Sequence, residues 1–166
     1  LVNRLRAWCV VLLIILVIFS LSPWIAVLFM PDRFKNHVYE VITFQLIANK
    51  ETQGISDREE QVIKLFNYVR KNIFVPSNSI PYEGKPLDYL TSGVGWCDYR
   101  SKVFNCLLAK KGIPSRYVML MGKKDRISIH TLNEVLIKGK WVVFDALTGV
   151  IFKDERVPTV ENVQDL

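Results

Sequence analysis

The chain has 166 residues, 50% of them hydrophobic, and a formal net charge of +6 at pH 7. That length allows one modest domain with an attached segment. The basic residues form no arginine-rich stripe with interleaved aromatics, and no helix-turn-helix or RNP-type motif occurs in the sequence. We therefore expect no nucleic-acid partner, and the positive charge suits an anionic membrane surface or cell-wall polymer.

The N-terminal segment over residues 7–30 contains no charged side chain. A helix rises about 1.5 Å per residue, so this segment is long enough to cross a bilayer core. We predict a transmembrane helix there, which divides the chain into residues 1–31 and a domain over residues 32–166. A cleaved signal peptide is the alternative, but its apolar region is usually about 7–15 residues long and ends in a small-x-small site.

The orientation of this predicted span is not decided by charge, because two basic residues precede it and two follow it closely. A short N-terminal tail is more easily left inside than a large domain. We therefore expect a single-pass membrane protein with its domain on the extracytoplasmic side.

Three helices are predicted after the span. Residues 34–48 have apolar side chains near helical spacing. Ser56 and Glu59 fit a capping box that begins a second helix with a wide apolar face. Residues 76–86 contain three prolines and are predicted to form a surface loop. A third helix is predicted over residues 97–111, where the glycine that follows ends it.

The rest of the sequence is predicted to form strands over residues 116–121, 127–137 and 141–147. Lys138-Gly139 makes a compact two-residue turn between the last two strands. Helices followed by an antiparallel sheet indicate an α+β domain.

That turn also determines which residues face each other across the hairpin. If Ile137 faces Lys140, then His130 and Asp145 are diagonal neighbours on one face of the sheet, with Cα atoms about 7–8 Å apart. An imidazole and a carboxylate can meet over this distance, whereas a one-residue shift would place them on opposite faces. The sequence therefore predicts that His130 and Asp145 form a pair, provided that the turn is correct.

Cys97 is the third candidate, at the predicted N-terminus of a helix. Backbone N–H groups and the positive end of the helix dipole favour a thiolate at such a position. His130 would act as the base, and Asp145 would orient the imidazole. The N–H groups around Cys97 are candidate oxyanion donors, with Trp96 as a side-chain candidate. Each residue alone has a structural interpretation, so the prediction depends on their combination.

No metal and no cofactor is predicted. Cys97 and Cys106 are nine positions apart in one predicted helix, so their Cα atoms are about 13 Å apart and should not form a disulfide. The sequence has no CxxC motif, and its two histidines, His37 and His130, are far apart.

Four linked motifs resemble the transglutaminase-like core, over about residues 55–149. They are Gly95-Trp-Cys97-Asp-Tyr-Arg-Ser, Gly112-Ile-Pro-Ser-Arg116, His130-Thr-Leu-Asn-Glu134-Val and Gly139-Lys-Trp141-Val-Val-Phe-Asp145. In that family a helix headed by cysteine runs into a G-I-P-x-R turn, and H-x-W-x-E-V and W-x-x-x-D strands follow. Two departures are Leu132, where the family often has Trp, and Arg100 with Ser101, where small residues are usual.

The resemblance implies a papain-like transglutaminase core and a thiol mechanism that acts on a peptide or isopeptide amide through a thioester. The expected function is a membrane-anchored cysteine protease or amidase with a peptide or protein substrate. The alternatives are a protein-glutamine acyltransferase that crosslinks proteins, and a non-catalytic module that binds a peptide or a membrane-protein partner. Besides the Cys-His-Asp triad, Trp96, Leu132 and Glu134 are candidates for the oxyanion site and the substrate cleft.

Overall fold

The computed structural model describes residues 2–28, 30–77, 84–123 and 127–152 of the chain. It forms two compact units, Leu1–Val41 and Ile42–Leu166. The elements in chain order are α1 (Val2–Leu28), α2 (Asp32–Glu51), α3 (Arg58–Asn72), α4 (Pro86–Ser92), α5 (Cys97–Lys110), β1 (Ser115–Met121), β2 (Ser128–Ile137), β3 (Lys140–Phe144) and β4 (Ile151–Phe152). The predicted α+β class is confirmed, whereas the division predicted between residues 31 and 32 stays a prediction.

Helix α1 has 27 residues and contains Pro23. The side chains of residues 10–23 are exposed, and most of them are apolar. No helix among the described residues meets the length and apolarity that a membrane crossing requires. The transmembrane helix predicted over residues 7–30 is therefore not confirmed. Within that range, residue 29 and the side chains of residues 7, 9 and 24–28 lie outside the described part.

Helix α3 begins one residue later than the sequence pattern predicts. Asp57, in an extended conformation with ψ 124°, accepts a hydrogen bond from the Glu60 backbone N–H at 3.1 Å. This aspartate, rather than Ser56, satisfies a free donor of the first turn. The predicted capping box of Ser56 and Glu59 is therefore wrong, because the Asp57 carboxylate takes the N-cap position, where its charge suits the positive end of the helix.

The core lies where α3 and α5 pack against one face of the sheet. Three buried phenylalanines meet there, with ring centroids 5.6 Å apart for Phe66 and Phe104, 5.3 Å for Phe66 and Phe144, and 5.7 Å for Phe104 and Phe144. Tilted and edge-on ring pairs at such distances contribute about 0.5–1.5 kcal/mol each beyond the burial of their area. This cluster joins the helix that begins at Cys97 to the strand that precedes Asp145.

The sheet is antiparallel, with strand order β1-β2-β3-β4. Lys138 and Gly139 connect β2 to β3 with φ angles of 51° and 79°. Positive φ at both positions is typical of two-residue hairpin turns, whose twist matches that of the flanking strands. Ile137 pairs with Lys140 across this turn, so the predicted hairpin register is confirmed.

Strand β3 ends earlier than predicted. The strand expected over residues 141–147 stops at Phe144, and a tight turn leads to β4, which the sequence analysis did not predict. Gly149 N–H donates to Asp145 O at 2.8 Å, and Asp145 N–H donates to Val150 O at 2.9 Å. Asp145 therefore lies in a turn rather than in a strand, since its side chain competes with a sheet ladder for nearby backbone N–H groups.

The two faces of β2 have different environments. Thr131 and Asn133 are buried on the face that contacts α5. Leu132 packs with Leu120 and Val143 in a second, smaller apolar cluster. Alternation along the strand places this second cluster on the opposite face of the sheet.

Candidate active site

Cys97 is the first residue of α5 and is a free, partly buried cysteine. Trp96 occupies the N-cap position in an extended conformation with ψ −174° and makes no side-chain cap. Trp96 therefore supplies no side-chain acceptor to the N–H groups of the first turn, which lie at the end of the helix that carries the thiol. Such groups are suitable donors to an oxyanion that forms next to the sulfur.

The segment that leads to Cys97 is tightly packed. Phe74 N–H donates to Gly93 O at 2.7 Å, and Gly95 N–H donates to Phe74 O at 2.9 Å. A Cβ atom on Gly95 would lie 2.9 Å from the Cβ of Tyr99. Only glycine fits this position without displacing α5, so the backbone approach to the thiol is fixed by packing.

His130 and Asp145 are in direct contact, with Nε2 of the imidazole 2.9 Å from Oδ2 of the carboxylate. Their side chains are 21% and 8% exposed, so water competes only weakly for this contact. The predicted meeting of His130 and Asp145 is confirmed. Because Nε2 faces the carboxylate, Nδ1 is the ring nitrogen left to exchange a proton with a thiol.

The Asp145 carboxylate is held by its own turn as well as by His130. Its Oδ1 atom accepts the backbone N–H groups of Leu147 at 2.9 Å and of Thr148 at 3.2 Å. Burial raises the pKa of Asp145, but the hydrogen bonds from His130 and Thr148 outweigh burial and hold this pKa below its usual range. Asp145 is therefore an oriented carboxylate at neutral pH.

A β-bulge precedes His130. Leu120 pairs with His130, whereas Met121 pairs with Ser128, so Ile129 is an extra residue in the ladder. A bulge bends its strand and redirects the neighbouring side chains, and bulges are frequent beside active sites. The apolar pattern of the sequence gave no signal for it.

Helix α5 is hydrogen-bonded to the strand that carries His130. Ser101, one helical turn after Cys97, donates from Oγ to the carbonyl oxygen of Thr131 at 3.3 Å. Asn133 Nδ2 donates to Ser101 O at 3.0 Å. Among the described residues, however, Cys97 and His130 share no hydrogen bond. The structure thus brings His130 and Asp145 together and places α5 against β2, while the contact of Cys97 with His130 stays a prediction.

Arg100 is a residue of the site that the sequence analysis treated only as a departure from the family pattern. It is 6% exposed, and its guanidinium donates to the backbone carbonyls of Ala146, Leu147 and Ile73. Burial lowers the pKa of Arg100, yet an arginine remains charged under such conditions. A signal was present in the sequence, because Arg100 lies four positions before Phe104, on the apolar face of the helix.

Trp96, a candidate for the oxyanion site, is 38% exposed and lines a cavity of about 240 Å³. The other walls of this cavity include Tyr89 and Tyr99, whose rings stack at 4.0 Å, and Val94. This mostly apolar cavity adjoins the residue that precedes Cys97. The role of Trp96 toward a substrate stays a prediction.

Leu132 and Glu134, the two candidates for the cleft, contact other residues of the sheet. Leu132 is 2% exposed and belongs to the smaller apolar cluster. Glu134 forms an ion pair with Arg116 on the neighbouring strand, and that guanidinium lies 4.4 Å from the centroid of the Trp141 ring. Their proposed part in the substrate cleft stays a prediction.

Solved structures from several sources share this fold. A candidate cysteine protease from Cytophaga hutchinsonii superposes with a TM-score of 0.56 at 25% identity, covering 66% of this chain and 38% of its own. A candidate protease from Parabacteroides distasonis gives 0.51 at 17% identity, covering 71% and 28%, and a TGase gives 0.50 at 14% identity, covering 78% and 36%. The chain therefore spans between about a quarter and two fifths of the length of these proteins.

None of the curated proteins matches the chain. A sequence profile of the transglutaminase-like superfamily matches residues 45–146, which include Cys97, His130 and Asp145. The match covers more than half of the chain and nearly all of the helices and strands that carry the site. The chain belongs to the transglutaminase-like superfamily.

Proposed function

We propose that this chain is a thiol hydrolase that cleaves a peptide or isopeptide amide, with Cys97 as nucleophile, His130 as its base and Asp145 as the residue that orients the base. The observation that carries the proposal is the contact of His130 with Asp145 at 2.9 Å, on a carboxylate that its own turn also holds. A cysteine at a helix N-terminus, combined with a base that a carboxylate orients, is the arrangement that covalent acyl transfer requires.

In the proposed reaction, Cys97 Sγ gives its proton to His130 Nδ1 and attacks the amide carbonyl carbon. Backbone N–H groups of the first turn of α5 receive the developing oxyanion. The C–N bond then breaks as the imidazolium returns the proton to the leaving amine, and a thioester remains on Cys97. Water, deprotonated by His130, attacks that thioester, so a carboxylic acid leaves and the thiol is restored.

The proposal requires one contact beyond those observed, a hydrogen bond between Cys97 and His130. Catalytic hydrogen bonds are often long or poorly aligned without substrate and shorten in the complex. The hydrogen bonds of Ser101 with Thr131 and Asn133 support an approach of this kind, because they hold the first half of α5 against the segment that carries His130.

Hydrolysis is favoured over crosslinking by one comparison. The Cytophaga hutchinsonii protein, at 25% identity, is named as a candidate cysteine protease. A protein-glutamine acyltransferase would use the same thioester and differ only in the group that attacks it. A non-catalytic module that binds a peptide is the third possibility, favoured by the absence of a Cys97–His130 hydrogen bond among the described residues.

Peptide digestion in the presence of methylamine distinguishes these three functions. The full chain and Cys97→Ala are incubated with a peptide library and analysed by mass spectrometry. New carboxyl termini that depend on Cys97 indicate hydrolysis, and methylamide products indicate acyl transfer. Peptide binding that persists in Cys97→Ala, without turnover in the parent, would replace the proposal with the binding module.

Membrane attachment through residues 7–30 is part of the proposal. The exposed apolar side chains of residues 10–23 support it. We expect a single-pass protein whose domain lies on the extracytoplasmic side, close to a substrate or protein partner in the same membrane. The full chain should co-float with liposomes, and an amine-reactive impermeant reagent should label Lys50 in intact cells. Failure of both experiments would refute the membrane attachment and leave the proposed thiol chemistry untouched.

A further inference from the structure

Two peptide groups connect a buried guanidinium to the Asp145 carboxylate. Arg100 Nη1 donates to the carbonyl oxygens of Ala146 at 2.9 Å and Leu147 at 3.2 Å. The N–H groups of those same peptide units belong to Leu147 and Thr148, and both donate to Asp145 Oδ1. Each peptide unit is therefore bound by the cation at its oxygen and by the carboxylate at its nitrogen.

This arrangement is shielded from water at both ends. Arg100 is 6% exposed and Asp145 is 5% exposed. In such surroundings hydrogen bonds are electrostatically stronger, and bonds in series polarise one another. A cation that withdraws charge from a carbonyl oxygen makes the N–H of the same peptide group a better donor to an anion.

The burial of Arg100 is not explained by packing alone. Among the described residues, its hydrogen bonds go only to backbone carbonyls, and its Nε atom is buried without a partner. Burying a charge without a bonded counter-ion is costly, and an apolar side chain on this helix face would avoid that cost. A guanidinium is needed here only if its charge and its several donors stabilise the turn whose carbonyl oxygens it binds.

We propose that Arg100 is a positioning residue of the candidate active site, which fixes the Asp145 carboxylate toward His130 through the Ala146–Leu147 and Leu147–Thr148 peptide groups. Arg100 lies three residues after Cys97, so the helix that carries the thiol also orients the acid. This inference deepens the proposed function, and a role of Arg100 in catalysis rests on that function. The hydrogen bonds that connect Arg100 to Asp145 do not depend on it.

Among the described residues, three ionisable side chains face the turn that holds Asp145. They are His130 from β2, Arg100 from α5 and Arg70 from α3, whose guanidinium lies against Gly149 where a Cβ atom would collide with it. Arg70 is exposed. It therefore offers a matched control that removes a positive charge from the same turn and leaves the two peptide connections in place.

The test is an NMR titration of the Asp145 carboxyl carbon in the full chain. Arg100→Met is expected to raise the titration midpoint by about 0.5–1 pH unit, because the carboxylate loses a favourable positive neighbour. Arg70→Met is expected to raise it by less than half as much, and Arg100→Lys to give an intermediate value. A folded Arg100→Met with an unchanged midpoint, or an equal shift in Arg70→Met, would overturn the proposal.

A second measurement uses the unsubstituted protein, in case Arg100→Met does not fold. During acid titration the amide signals of Leu147 and Thr148 and the guanidinium signals of Arg100 are expected to move with the Asp145 midpoint. Arg100 signals that do not follow this midpoint would refute the connection. Neither measurement requires turnover, so a protein that hydrolyses nothing would remove the proposed function and leave this result intact.

The contribution of Arg100 to catalysis is tested by kinetics on a preparation that turns over substrate. Arg100→Lys is expected to lower kcat by roughly 10- to 100-fold at unchanged KM, as a misplaced base would. A rise in KM with an unchanged kcat would instead assign Arg100 to substrate binding and overturn the positioning role.

Discussion

Replacement of Asp145 by alanine and by asparagine should have clearly different effects. Asp145 as a whole residue is 5% exposed, and its side chain accepts hydrogen bonds from His130, Leu147 N–H and Thr148 N–H. Asp145→Ala removes the acceptor from all three donors, and each buried donor left without a partner costs about 1–3 kcal/mol. Leu147 is only partly buried and Thr148 is exposed, so water replaces part of the loss, and we expect a total of about 2–3 kcal/mol.

Asp145→Asn keeps an amide oxygen that can accept both backbone N–H groups but loses the charge. Hydrogen bonds to an ionised acceptor are roughly twice as strong as neutral ones, so we expect a loss of about 1 kcal/mol. Urea denaturation at pH 7 measures both values as changes in the free energy of unfolding. Equal losses for the two substitutions would show that the turn does not depend on the acceptor, and would refute the reasoning.

Acid provides the control for this pair. The pKa of Asp145 is lowered in the folded chain, so its contribution to stability is present above the unfolded pKa of about 3.9 and is lost as the pH falls through the folded value. The stability difference between the parent and Asp145→Asn should therefore shrink below about pH 4. A difference that persists unchanged at pH 2.5 would exclude the ionised carboxylate as its cause.

Three further predictions follow from the site and the core. At pH 6 iodoacetamide should alkylate Cys97 faster than the partly buried Cys106, and His130→Ala should abolish the difference. Mass spectrometry of each peptide measures the two alkylation rates; a ratio of rates that is unchanged in His130→Ala would show that His130 does not activate Cys97. Phe104→Ala should lower the free energy of unfolding by about 3–5 kcal/mol, because it opens a cavity in the phenylalanine cluster; a loss under 1 kcal/mol in urea denaturation would mean that the cluster is not tightly packed. Gly112→Ala should cost about 1 kcal/mol, since φ is +63° there although space for a Cβ is open; a gain in the thermal midpoint would contradict this.

Local sequence determined most of the helices and strands. Apolar spacing predicted α2, α3 and α5, and Lys138-Gly139 predicted a hairpin whose register the structure confirms. From that register the meeting of His130 with Asp145 followed, because a one-residue shift would have placed the two side chains on opposite faces of the sheet. The error at the start of α3 was a competition between adjacent caps, Ser56 and Asp57, which propensity alone does not resolve.

Tertiary structure decided how the pair is held. The bulge at Ile129 and the turn after Phe144 depend on how the strands meet. No glycine marks the bulge, and Gly149, with φ 85°, marks the turn without fixing the residue at which β3 ends. The hydrogen bonds of Arg100 join residues 46 and 47 positions apart. Sequence periodicity reports which face a side chain occupies, whereas the partner that makes a buried charge tolerable is set by long-range packing. The sequence by itself thus identified the candidate residues, and only the folded chain showed that a helix cation and a turn carboxylate share the same two peptide groups.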